Sequence, residues 1–181
     1  SGEHFKMDQS FIDALKSREG MYRLLGSLYL REVDADMLAR LKALSFTSGG
    51  SGIFEQGCAQ FTQALCEHSA DPASLDDLAA DYSRAFLGAG VVEQIVAYPF
   101  ESVYTSPEKL VCQDAYEQVY KIYKAAGLQK SKGDFDDHIG LELEFMAHLC
   151  KKAAEKAARG ELQAASDLLD QQEAFLSGHL L

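Results

Sequence analysis

The stretch Asp134-Phe135-Asp136-Asp137-His138-Ile139-Gly140-Leu141-Glu142-Leu143-Glu144-Phe145-Met146 reads as the start of a long helix. Ile139, Leu143, Met146 and Cys150 recur at steps of four, three and four, the spacing of one buried helical stripe. Asp134 or Asp136 is placed to cap it, since a carboxylate there accepts hydrogen bonds from first-turn amides that lack an intrahelical partner. The negative charge also suits the positive end of the helix dipole. His138 and Glu142 stand four apart and share a face. An ionisable cluster thus sits at the mouth of a core helix.

The same periodicity runs outward in both directions. Phe11, Leu15, Tyr22, Leu25 and Tyr29 predict a helix from about Gln9 to Leu30, and a shorter one follows from Ala35 to Leu44. The Gly/Ser-rich run at 45–52 is a flexible connector. No Lys follows it and no strand pattern precedes it, so it is not a phosphate loop. Helix returns from Ile53 to His68 and breaks at Asp71-Pro72. Ser74 with Asp77 resembles a capping box for a helix through Phe86, which Gly88 or Gly90 terminates. Residues from Val91 to Tyr104 read as irregular, with aromatics crowded around Glu101. A helix beginning after Ser106-Pro107 and a last one from Glu161 to about Leu176 complete the pattern. Strand alternation is nearly absent, so the expectation is an all-α fold in a single domain.

Bulk properties narrow the function. The chain has 181 residues, 47% hydrophobic and 25% charged, with a net charge of −11. That acidity disfavours nucleic acid and favours cationic partners such as a basic peptide. No apolar run approaches the ~18 residues that span a bilayer, and no signal pattern opens the chain. The opening Ser1-Gly2 reads as a scar of tag removal. Cys58, Cys66, Cys112 and Cys150 lie far apart in apolar or helical context, which predicts buried free thiols in a reducing cytoplasm.

Catalytic chemistries find little support. His138 with Asp137 and Glu142 has the donor types of a metal site. The paired Glu-x-x-His motifs of di-iron bundles and the His-Glu-x-x-His of zinc proteases are both missing. No nucleophile signature accompanies His138. A metal-dependent helical enzyme centred on His138 therefore stands as the rival from another class. The plainer alternative for His138 is a hydrogen-bonded histidine beside a helix cap.

Three blocks carry a resemblance. Asp81-Tyr82-Ser83-Arg84-Ala85-Phe86-Leu87-Gly88 resembles a Glu/Asp-Tyr-x-x-Leu-Phe-x-Gly motif, with Ala85 where Leu is usual. Tyr98-Pro99-Phe100-Glu101-Ser102-Val103-Tyr104 is similar to Pro-Tyr-Glu-Ser-Val-Tyr, and the stretch from Asp136 to Met146 is similar to Asp-His-Ile/Leu-x-x-Glu-Leu-x-Phe-Met. Together they resemble the TorD/DmsD/NarJ family of redox-enzyme maturation chaperones, in order and spacing from about Met21 to Leu176.

The resemblance implies an all-α cytoplasmic chaperone, not an enzyme, without cofactor or metal. It would bind the twin-arginine signal peptide or apo form of a molybdoenzyme catalytic subunit and delay export until the molybdopterin cofactor is inserted. A NarJ-like factor gripping a non-exported subunit is the alternative. Asp137 and His138 match positions implicated in peptide recognition; Tyr82, Phe86 and Glu101 match neighbouring blocks. Guanidinium groups pair well with carboxylates. Asp137, Glu101 and Glu142 are the candidates for that, with Tyr82, Phe86, Phe100 and Tyr104 lining a groove for the apolar run. Family members usually continue past Gly178-His179-Leu180-Leu181 with another helix, so truncation or a domain-swapped dimer is as open as a monomer.

Overall fold

The computed structural model describes residues 9–44, 52–90, 96–129 and 135–180. They are all-α, and the β contact among them is one isolated antiparallel bridge, Phe100 to His138. Backbone contacts divide the chain into two compact units, one of residues 1–30 with 99–181 and one of residues 31–98. The Gly/Ser connector falls outside the described residues except for Gly52, which caps the helix that follows. No described helix is long and apolar enough to cross a membrane.

The first unit is built on α7 (Ile139–Ala158), against which α1 (Gln9–Leu30) and α8 (Leu162–Phe175) pack. At one end small side chains let the three helices approach: Ile12 and Leu15 of α1 meet Ala153, Ala154 and Ala157 of α7 and Ala165 of α8. The other end is filled by bulk, with Phe145, Met146 and Leu149 of α7 packed with Phe175 of α8 and Val119 of α6 (Asp114–Ala125). Phe145 and Phe175 meet edge to face at 4.8 Å, and Tyr123 lies 4.9 Å from Phe145. Each such aromatic contributes about 2–3 kcal/mol by leaving water. The predicted stripe holds with one change, since Leu143, Met146 and Cys150 are buried and Ile139 only partly. A short helix, α5 (Glu101–Thr105), stands where the sequence reads as irregular. Pro107 opens no helix: residues 106–113 turn first, and α6 starts at Asp114.

The second unit holds α2 (Ala35–Ala43), α3 (Ile53–Glu67) and α4 (Pro72–Tyr82), the last running into a π-helical turn at Ser83–Leu87. Asp34 caps α2 by accepting from the Met37 amide at 2.7 Å, and Met37, Leu38, Leu41 and Leu65 are buried. The expected Ser74–Asp77 box does not form. Asp71 caps α4 by accepting from the Ser74 amide, Pro72 takes the first turn, and the Ser74 hydroxyl turns back to the Ser69 amide. Pro72 supplies no amide, so the cap shifts to the residue before it. Gly88 ends the π turn at φ 69°, a left-handed conformation that a glycine adopts without strain.

The thiols divide differently from the expectation. Cys150 is buried beside Gln172 and Cys58 is half-buried, but Cys66 and Cys112 are exposed. Cys66 is near the end of α3 and Cys112 in the turn before α6, and spacing alone does not report which side of these segments faces water.

Candidate functional site

Two sequence blocks 35 residues apart are joined backbone to backbone at the mouth of α7. The Glu101 amide donates to the Asp137 carbonyl, and the Ile139 amide to the Pro99 carbonyl, each at 2.9 Å. Pro99 has no N–H to offer, and here only its carbonyl is needed. These bonds hold the start of α5 against the start of α7.

Asp137 serves α5 rather than its own helix. It is fully buried, and Oδ2 accepts from the Ser102 amide at 2.9 Å. The residue preceding α5, Phe100, has no polar side chain to cap with, so the carboxylate supplies the cap from across the junction. The Ser102 hydroxyl then accepts from the Gln113 amide at 3.1 Å and so anchors the approach to α6. Asp137 Oδ1 has no hydrogen-bond partner among the described residues.

His138, not Asp134 or Asp136, is the N-cap of α7. Its Nδ1 accepts from the Gly140 amide at 3.0 Å, which leaves the proton of the neutral ring on Nε2. The ring is buried and stands edge-on to Phe100 at 5.1 Å. Asp134 lies outside the described residues, and Asp136 is buried one turn earlier. Phe100 also meets Phe135 at 5.8 Å, which in turn meets Tyr116 at 5.9 Å.

Glu142 lies one turn into α7, 1% exposed. Its pKa is pushed up to about 9, first by burial, then by the Glu101 charge, a hydrogen bond with Glu101 and the Asp137 charge. At neutral pH it therefore keeps its proton and donates it to Glu101. Glu142 Oε1 has no hydrogen-bond partner among the described residues. The Tyr123 hydroxyl is likewise held well above its ordinary pKa, by burial first and the Glu142 charge second, and stays neutral. On its other side Glu101 meets His179 Nδ1 at 2.9 Å, with side chains 12% and 7% exposed respectively. His179 belongs to a second π-helical turn, Leu176–Leu180, that extends α8.

Of the residues that the sequence marks, Asp137, His138, Glu142, Glu101 and Phe100 come together here. Tyr104 is on α5 and exposed. Tyr82 and Phe86 belong to the other compact unit, half-buried and edge to face at 5.2 Å. The sequence reading missed His179, Tyr123 and Ser102. His179 pairs with a residue 78 positions away, and no local pattern announces that. The cluster is rich in acceptors and holds no activated nucleophile. Among the described residues no His/Cys/Asp/Glu group is arranged to hold a metal ion. What it can do is receive hydrogen-bond donors, best of all a cation.

Comparison with known proteins agrees with the resemblance. A family model described as nitrate reductase delta subunit matches residues 53–181. The chaperone protein TorD of Shewanella sp. (strain MR-4) is 30% identical over 167 residues, covering 87% of this chain and 78% of the relative. TorD of Vibrio cholerae serotype O1 (strain ATCC 39315 / El Tor Inaba N16961) is 29% identical over 174 residues, covering 92% and 76%. A solved structure from Archaeoglobus fulgidus, described as a candidate redox enzyme maturation protein, has a TM-score of 0.49 at 20% identity over 86% of this chain and 93% of that one. With the family model matched over most of its length and a TorD relative at 30% identity, the chain belongs to the TorD/DmsD/NarJ family of redox-enzyme maturation chaperones, which are not enzymes.

Proposed function

We propose that this protein is a cytoplasmic chaperone for a molybdopterin oxidoreductase subunit, that it binds the subunit's twin-arginine signal peptide, and that it delays export until the cofactor is inserted. The observation that carries the reading is the acidic junction itself. The family's signature block folds into a cluster of three carboxyl groups, Glu101, Asp137 and Glu142, two of which retain an unpartnered oxygen. A guanidinium presents five N–H donors in a planar fork and matches such a cluster better than an ammonium does. The net charge of −11 attracts the same ligand over longer distance. Phe100 and the exposed Tyr104 and Phe135 offer apolar surface to the run that follows the arginines.

A second reading, a NarJ-like factor that grips the enzyme body, is favoured by the nitrate reductase delta subunit description of the matching family model. Calorimetric titration with twin-arginine signal peptides of molybdoenzymes from the same genome separates the two. The expected result is micromolar binding to one peptide, weakened when its arginine pair is replaced. Absence of binding to every peptide, with capture of a folded molybdoenzyme subunit in a pull-down, would establish the enzyme-body reading instead.

A further inference from the structure

We propose that His179 is an internal occupant of the arginine site: the π-helical turn Leu176–Leu180 brings His179 onto Glu101, and an incoming guanidinium displaces it. This rests on the signal-peptide reading and adds what the site does when no peptide is present.

The first observation is an imbalance of donors. Asp137 and Glu142 lie in the interior beside the partly buried Glu101, and Asp137 Oδ1 and Glu142 Oε1, on residues 0% and 1% exposed, have no hydrogen-bond partner among the described residues. Buried acceptors of this kind are rare because each forfeits its hydration with nothing in return. From outside the cluster, His179 Nδ1 meets Glu101 Oε2 at 2.9 Å. One Nδ1–H satisfies one oxygen; a guanidinium can satisfy several at once.

The second observation is how His179 is held. It reaches Glu101 from a turn of five residues at the end of α8, not from the middle of a helix. Its ring lies 4.8 Å from Phe175, and Leu176 and Leu180 rest on the edge of the Phe145–Phe175 cluster, both only partly buried. The π geometry widens the last turn and shifts side chains out of α-helical register, and such turns recur at functional sites. A five-residue turn held by two partly buried leucines and the His179 contact has little buried apolar area to lose on opening. Opening it bares Glu101 without disturbing the Asp137 cap of α5 or the His138 cap of α7, which depend on other bonds.

Displacement makes a quantitative demand. A ligand that must first expel His179 binds with an affinity reduced by the fraction of molecules already open. His179→Ala should therefore bind a twin-arginine signal peptide about tenfold more tightly than the parent protein. The gain should vanish for the same peptide with its arginine pair replaced by glutamines. In the unmodified chain, hydrogen exchange at the amides of residues 176–180 should speed up when the peptide is saturating, while the amides of α7 stay protected. Peptide binding with the turn equally or more protected would overturn the displacement and leave the signal-peptide reading standing, and the exchange result decides even where His179→Ala folds poorly. Failure of both the parent chain and His179→Ala to bind any twin-arginine peptide removes the peptide reading, and the displacement with it.

Discussion

Glu142 shows how far burial can move a single carboxyl group. The folded state holds its pKa near 9 against an ordinary value of 4.5, so the folded protein binds this proton more tightly than the unfolded chain does. The stability it contributes is complete below the unfolded pKa and is lost as pH rises toward the folded one. Between the two, each pH unit removes roughly 1.4 kcal/mol, on the order of 3 kcal/mol by neutrality. Glu142→Gln keeps a donor for Glu101 and cannot ionise. It should melt at nearly the parent temperature at pH 4.5 and about 10–20 °C higher at pH 8. Thermal melts across that window check this, and parallel pH profiles for the two proteins would refute it. Retention of so expensive a group is understandable if the cluster serves a ligand rather than the fold.

At the scale of elements, α1 and α7 cross on two glycines. A Cβ on Gly140 would sit 2.5 Å from Leu30 Cγ and 3.1 Å from the Gly26 carbonyl oxygen, and one on Gly26 would sit 3.0 Å from the Gly140 carbonyl oxygen. The backbones touch at the first turn of α7, next to the His138 cap, so this crossing sets where Glu142 points into the core. Gly140→Ala should cost about 1–3 kcal/mol by overpacking. Gly20 lies earlier in α1 with nothing within 4 Å of its would-be Cβ. Gly20→Ala should instead stabilise by about 0.5–1 kcal/mol, the usual gain of alanine over glycine in a helix. Urea midpoints of the two variants should move in opposite directions; a shift of the same sign in both would show that the crossing is looser than drawn.

For the whole molecule, charge governs encounter. A net charge of −11 on 181 residues steers a cationic peptide toward the protein at distances beyond any single contact. Salt screens that field over a Debye length of about 10 Å at 0.1 M and about 3 Å at 1 M. Stopped-flow association with a twin-arginine peptide should slow about tenfold from 0.02 M to 0.5 M salt, with dissociation changing far less because the final contacts are buried. Association that ignores salt would mean that the apolar part of the peptide leads the encounter and the arginines follow.

The sequence by itself determined the all-α class, the bounds of α1, α2 and α3 to within a residue or so, and the family, because helical periodicity and the signature blocks are local and survive in the linear order of residues. Capping was not legible even where it is local: Asp71, not the expected Ser74, caps α4, Asp34 caps α2 without having been singled out, Asp137 is drawn to the Ser102 amide 35 residues away, and His138 takes over at α7. Only the tertiary structure decided that the carboxyl groups expected to face a ligand are buried, that Glu142 keeps its proton, and that His179 reaches Glu101 from 78 residues away. Protonation and accessibility depend on what surrounds a group in space, and no spacing along the chain carries that information.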